Sequence, residues 1–275
     1  MDNPDMNRPA NYRIELNGSP ASVEDLRAVA LVNYGHFTSM QVQGGCVRGL
    51  GLHLDRLERS TRELFGCPLD VDATRGWMRQ IAGDDNAALS LRVNVFSRKL
   101  HRDHLAEPAE PDVLIAGGPV RAISAASLRV RSVRYDREAP HIKHVGTFGL
   151  FHQKRLAQTL GYDDALFVDA GGAVAEGTIW NIGFFDGERV VWPDAPALEG
   201  ISMQLLKAGL RECGVDTITR RVPLGDVGTF RSAFFTNSSC TAVPIAAIDD
   251  VSFMVDAALA KTLHAAMSSQ PLERI

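Results

Sequence analysis

The stretch "PHIKHVGTFG", residues 140–149, sets Lys143 between Ile142 and His144 with little else to explain it. A lysine attacks a carbonyl only when its surroundings leave it neutral, because the ammonium form has no lone pair. Taken alone, Lys143 reads as an ordinary solvated charge. Glu176 is odder. It lies between two apolar strand-like runs in "DDALFVDAGGAVAEGTIWNIGFFDG", so its carboxylate falls at the edge of a core. A buried acid calls for a cationic partner. A pyridinium nitrogen is one such partner and a neighbouring arginine is another.

Three further places suit an anion. In "HLDRL", Arg56 sits between two leucines of an amphipathic helix, with a guanidinium fork able to grip a phosphate. "LEGISM" opens a helix at Gly200, where the N–H groups of Ile201 and Ser202 and the helix dipole favour negative charge. "FTNSSCT" presents the hydroxyls of Ser238 and Ser239 in a loop. Each also has a plainer reading, as a solvated arginine, a helix-capping serine or a polar turn. His101 and His104 have HxxH spacing but read as a surface loop rather than a metal site, and no metal is expected.

The elements that must position these residues follow from pattern. "YRIELNGSPAS" alternates and turns at Asn17-Gly18, a short hairpin. Strand, turn (Gly44-Gly45) and helix follow, with Leu50, Leu54, Leu57 and Leu64 on one helical face. "DVDATRGWMRQIAG" is a second helix; "ALSLRVNVFS" and "VLIAGG" are strands. Beyond a weakly patterned crossing segment, "LRVRSVRYDR" reads as a strand with Lys143 at its end. "TFGLFHQKRLAQTLG" is a helix stopped by Gly161. "DALFVDA", "IGFFDG" and "RVVWPD" are strands joined by turns at Gly171-Gly172 and Asp186-Gly187. "ISMQLLKAGLRECG" is a helix, "SAFFTNSS" a strand and "DAALAKTLHAAM" a last helix. The expected fold class is α/β (α+β) in two modules, residues 1–119 and 128–275, with a linker over 120–127.

Bulk properties narrow the field. The 275 residues, 45% apolar and 23% charged, are enough for large cores without a disulfide or metal staple. A formal charge of −4 argues against a nucleic-acid or anionic-membrane partner. The N-terminal "MDNPDMNRPANYRIEL" lacks the apolar stretch of a secretory leader. No apolar run has the length of a membrane span. Cys46, Cys67, Cys213 and Cys240 are scattered and read as reduced, mostly buried thiols of a cytoplasmic protein.

Read in order, these motifs resemble the class IV pyridoxal-phosphate enzymes, which include branched-chain and D-amino-acid aminotransferases and aminodeoxychorismate lyase. The resemblance rests on His53-Leu54-Asp55-Arg56-Leu57, then Ile142-Lys143 before a helix ending at Gly161. Glu176-Gly177-Thr178-Ile179-Trp180-Asn181, Leu198-Glu199-Gly200-Ile201-Ser202, and Ser238-Ser239 before Pro244 complete it. It runs from about residue 12 to the region of Phe253. It implies a small N-terminal α/β sandwich, a larger C-terminal pseudo-barrel and pyridoxal 5′-phosphate as cofactor. Lys143 would form the internal aldimine and Glu176 would keep the pyridine nitrogen protonated. Arg56, Ile201, Ser202, Ser238 and Ser239 would hold the phosphate, and Leu198 would pack on the ring. An amino donor and a 2-oxo acid are the implied partners, and a homodimer the implied assembly.

The substrate half departs from the family pattern. Where relatives carry "GDGxFE", this chain has "NYGHFTSM", with Phe37 kept and Thr38 in place of the acid. "FTS" and the His144 after Lys143 are closer to the lyase. Phe37, Thr38, Arg92 and Arg98 are the candidates for contact with substrate, the arginines for its carboxylate. His36 either lines the pocket or packs as an ordinary core histidine. The reaction expected is amino transfer, with aminodeoxychorismate lyase chemistry as the alternative.

Overall fold

The computed structural model describes residues 12–83, 88–120 and 126–275. The first eleven residues and most of the expected linker lie outside them. The described residues form two compact units. One holds those up to 122 together with Leu272–Ile275, and the other those from 123 to Pro271.

In the first unit the chain runs β1 (Arg13–Leu16), β2 (Ser19–Pro20), α1 (Val23–Val32), β3 (His36–Val42), β4 (Cys46–Arg48), α2 (Leu50–Phe65), α3 (Val71–Ala82), β5 (Leu89–Phe96) and β6 (Asp112–Pro119). The hairpin forms as its sequence dictates, because Asn17 and Gly18 take the positive φ values, 48° and 79°, that a two-residue turn demands. The sheet has the order β2-β1-β6-β5-β3 with antiparallel pairing. Met40, Val42, Leu91, Val93, Val95, Val113 and Ile115 pack with Leu54, Leu57 and Phe65 of α2 and Met78 and Ile81 of α3. On Leu16, Phe96 and Leu114 rest Leu26 and Val29 of α1.

The second unit contains β7 (Leu128–Arg134), α4 (Phe148–Thr159), β8 (Asp164–Val168), β9 (Val174–Gly177), β10 (Asn181–Phe185), β11 (Val190–Pro193), α5 (Ile201–Glu212), β12 (Thr217–Arg220), a 3-10 turn (Leu224–Thr229), β13 (Ser232–Asn237), β14 (Cys240–Ile248), β15 (Val251–Ser252) and α6 (Ala257–Ser269). Its sheet runs β12-β11-β10-β13-β14-β7-β8-β9, with β15 beside β14. The sheet curls back on itself. Val174 of β9 donates to the Val222 carbonyl at 2.8 Å, just past β12 on the opposite edge, and Ala173 bridges to Pro223. Val130, Leu166, Val174, Ile182, Phe184, Val191, Phe235 and Ile245 form one core. On the other face Trp192 and Phe234 pack with Leu206 and Leu210 of α5 and Leu259 and Leu263 of α6. Burial on both faces explains why these strands read as continuous apolar runs.

The last strand, β16 (Leu272–Arg274), corrects the expected boundary. It pairs with β4, and the Ile275 side chain enters the first core, so residues 272–275 belong with the first unit rather than with 128–271.

Candidate active site

Lys143 is half-buried in the loop between β7 and α4. Residues 135–142 separate it from the strand end where its pattern had placed it. Arg137 pins that loop from within. Its Nη2 donates to the carbonyl of Ile142, the residue before Lys143, and its Nη1 donates to Glu176 Oε1 at 3.0 Å. One guanidinium therefore ties the Lys143 peptide to the Glu176 carboxylate.

Glu176 lies on β9 with 5% exposure. Its Oε2 accepts the backbone N–H of Leu198 at 3.2 Å, and Asn181 Nδ2 donates to the Leu198 carbonyl at 2.7 Å. Burial pushes the Glu176 carboxyl above its ordinary range, opposed by the Arg137 charge, the Leu198 N–H and the Lys143 charge. The arginine partner is the one of the two sequence alternatives found within the chain. A carboxylate has about four acceptor directions and these contacts use two of them, so a further donor can be taken. Beside Lys143, His144 carries a buried Nε2 without a partner and is held below its usual range by burial and by Arg137.

Gly200 caps the start of α5, leaving the first N–H groups of the helix, Ile201 and Ser202 among them, without partners inside the helix. A Cβ on Gly200 would lie 2.1 Å from Asn181 Oδ1, so glycine is what lets Asn181 reach Leu198. Ser238 and Ser239 form the two-residue turn of the β13–β14 hairpin, where Asn237 pairs with Cys240. Asn237 Oδ1 stiffens the turn by accepting from the backbone N–H groups of Ser239 and Cys240 at 2.9 and 3.1 Å. Ser202 Oγ donates to the Asn237 carbonyl at 2.8 Å and draws the turn onto the helix N-terminus. The result is a cluster of N–H and O–H donors suited to a phosphate. Leu198 is buried at the head of this segment.

In the first unit Arg56 is 7% exposed on α2. Its Nη2 donates to Thr38 Oγ1 and its Nε is buried without a partner. Burial and the nearby Arg59 pull its pKa down to about 10. Among the described residues no carboxylate pairs with it, and a buried cation in that state calls for an anion. Thr38 is fully buried, its oxygen accepting from Arg56 and lying within hydrogen-bond distance of His53 Nδ1, at 2.6 Å. That hydroxyl is committed to Arg56 and His53 rather than open to a substrate.

The remaining substrate candidates divide. Arg92 lays its guanidinium over the Phe37 ring, 3.6 Å from the centroid, and its Nε donates to Asn94 Oδ1 at 3.0 Å. Arg98 is already engaged by Asp25 of α1 and, at 2.9 Å, by Asp112 of β6. His36 is a packed core histidine with Nε2 3.0 Å from Thr61 Oγ1. His101 and His104 are exposed, with their rings 4.8 Å apart. The thiols differ from expectation, Cys213 being exposed and the other three half-buried. The sequence reading passed over Arg137, whose partner lies 39 residues away, and no local pattern marks that pairing.

The description "Amino-transferase class IV" matches residues 35–248. The chain belongs to the class IV amino-transferase family. A "probable branched-chain-amino-acid aminotransferase" of Rickettsia bellii is 31% identical over 146 residues, half of this chain. The matched part spans about half the length of that relative. The aminodeoxychorismate lyase of Bacillus subtilis is 23% identical over 248 residues, covering 81% of this chain and 80% of the relative. A crystal structure of a branched-chain aminotransferase from Thermoproteus uzoniensis with norvaline shares the fold with a TM-score of 0.82 at 19% identity. It covers 92% of this chain and 93% of that one. Other solved structures of the fold hold pyridoxal phosphate or pyridoxamine phosphate. Among the described residues no helix is long and apolar enough to cross a membrane, and no group of three or more His, Cys, Asp or Glu could hold a metal ion.

Proposed function

We propose that the protein is a pyridoxal-phosphate-dependent aminotransferase, moving an amino group between an amino acid or amine and a 2-oxo acid. The observation that carries this reading is the Arg137 bridge between the Ile142 carbonyl and the buried Glu176, which holds the Lys143 peptide and one carboxylate in a fixed relation. The residues fit the cofactor. Glu176 keeps acceptor capacity for a protonated ring nitrogen, and the donors at the start of α5 and in the Ser238-Ser239 turn suit its phosphate. When bound, the cofactor supplies an electron sink for charge that develops at the substrate Cα.

The rest is the work of the chain. Lys143 would hold the cofactor, and its Nζ would carry the proton to and from the substrate Cα. Glu176 holds the ring nitrogen in its protonated form, and Leu198 supports the ring face. Ile201, Ser202, Ser238 and Ser239 bind the phosphate. Family resemblance extends that role to Arg56, whose own surroundings call for an anion. Phe37 and Arg92 remain the substrate-side candidates, Arg98 being engaged by Asp25 and Asp112 and Thr38 by Arg56 and His53. The reading includes a homodimer in the cytoplasm, and a monomer by light scattering would contradict the first of these.

The test is the absorption spectrum of wild-type and Lys143→Ala protein with added pyridoxal phosphate, followed by borohydride reduction and peptide mapping. A yellow wild type with the cofactor fixed on Lys143, and a colourless variant, are expected. Attachment elsewhere or nowhere would sink the proposal. Branched-chain amino acids, suggested by the names of the relatives, are the first donors to offer with 2-oxoglutarate. The resemblance to the Bacillus subtilis lyase keeps a second reading open. Pyruvate release from aminodeoxychorismate without amino exchange would decide for it.

A further inference from the structure

We propose that Asp164 is a positioning residue for Glu176, acting through the turn that joins β9 to β10. Asp164 is 1% exposed, and nothing in the proposed reaction uses it directly. All four acceptor directions of its carboxylate are filled. Oδ1 accepts the Thr178 hydroxyl at 2.7 Å and the Ala165 N–H at 2.8 Å. Oδ2 accepts Lys154 Nζ at 2.8 Å and the Trp180 indole Nε1–H at 3.1 Å.

Two of these donors belong to the short turn that begins at Glu176 and ends at Asn181. Within it the Gly177 N–H donates to the Trp180 carbonyl at 2.8 Å. The indole folds over Gly177 so closely that a Cβ there would lie 2.0 Å from its ring. The turn is therefore fixed at Thr178 and Trp180 by a single carboxylate on the neighbouring strand. Its far end, Asn181, holds the Leu198 carbonyl, and the Leu198 N–H holds Glu176. A rotation of the turn carries Glu176 off the Leu198 N–H and weakens one of the contacts that favour its ionised form. Through Lys154 the same carboxylate also anchors α4, the helix that follows Lys143.

The proposal rests on the aminotransferase reading only in taking Glu176 as the cofactor's partner; the link from Asp164 to Glu176 is testable without cofactor. The measurement is a carbon-13 titration of the Glu176 carboxyl in full-length protein, assigned by comparison with Glu176→Gln. Thr178→Val removes one donor on the turn side, Lys154→Met removes the donor on the helix side, and Asp164→Asn disturbs both. Thr178→Val and Asp164→Asn are expected to raise the Glu176 midpoint by about one pH unit, the size of a lost hydrogen bond to a charged group. Lys154→Met is expected to lower the melting temperature and leave that midpoint in place. In the holoprotein Thr178→Val should weaken pyridoxal phosphate about tenfold, as the loss of a supporting contact behind a bound group does. If Asp164→Asn does not fold, Thr178→Val and Trp180→Phe decide the matter. A wild-type midpoint in Thr178→Val, or an equal shift in Lys154→Met, would show that Asp164 only stabilises the fold. A wild type that never turns yellow would overturn the aminotransferase reading, while the carboxyl titration would still decide the role of Asp164.

Discussion

The Arg137 guanidinium and the Glu176 carboxylate meet at 3.0 Å with side-chain exposures of only 8% and 6%. A pair that deep pays a desolvation cost on both sides, and its value lies in what its removal leaves behind. Replacing Arg137 by Met should therefore destabilise the protein by about 3–5 kcal/mol at neutral pH, the cost of an uncompensated buried charge. The pH dependence has a definite sign. Burial already raises Glu176 in the folded state, so the stability this group contributes is full below its ordinary carboxylate range and is lost as pH rises through the raised folded value. The Arg137→Met deficit should accordingly grow with pH, and urea unfolding across a pH series checks this. A deficit independent of pH would rule out the charge as its source.

His36 supplies the opposite case. Burial and the Arg56 charge hold it down to about 3 from an ordinary 6.5, so the folded state keeps it neutral where the unfolded chain protonates. Between those two values the unfolded state binds one more proton, and this residue makes stability fall on acidification by about 1.4 kcal/mol per pH unit. His36→Gln should flatten the acid limb of the stability profile by that slope. An unchanged slope would mean that His36 titrates normally.

Arg56 is a buried cation that pairs with no carboxylate among the described residues, and the proposed function assigns it a phosphate. Arg56→Met should stabilise the ligand-free protein by about 1–3 kcal/mol by removing that cost. It should also abolish most of the stabilisation that inorganic phosphate or pyridoxal phosphate confers on the wild type. Thermal unfolding with and without phosphate reads both effects. A variant less stable than wild type in the absence of ligand would show that Arg56 is satisfied within the chain.

Gly209→Ala tests the contact between α5 and α6. Helix propensity alone favours alanine by about 1 kcal/mol. A Cβ at this position would lie 1.9 Å from the Ala266 carbonyl oxygen, a backbone atom that cannot turn aside. Overpacking of this kind costs about 1–3 kcal/mol or more, so the net change should be destabilising. A rise in melting temperature would show that the two helices separate freely.

What the sequence determined by itself was local or periodic. Asn17-Gly18 demanded its turn, the leucines of α2 defined its buried face, and Gly200 marked the start of α5. Glu176 stood out because its carboxylate conflicts with its apolar neighbours, whereas Lys143 read locally as a solvated charge and gained weight only from the order of the motifs around it. The capping box at Ser22 and Asp25 was a local signal for α1 too, but that helix buries none of its own residues and escaped the pattern. Pro244 hid β14, since proline argues against a central strand. It is tolerated because the pairing with β7 begins only at Ile245.

Tertiary structure alone decided the partnerships. Arg137 with Glu176, Asp164 with Thr178 and Trp180, Arg98 with Asp112, and β16 with β4 each join residues from separate elements. Such pairings follow from how the sheets curl and stack rather than from any nearby spacing. A short segment specifies its own φ, ψ and polarity. Which distant charge will neutralise a buried one is set only when the two elements are packed, because only then does water leave and the partner become obligatory.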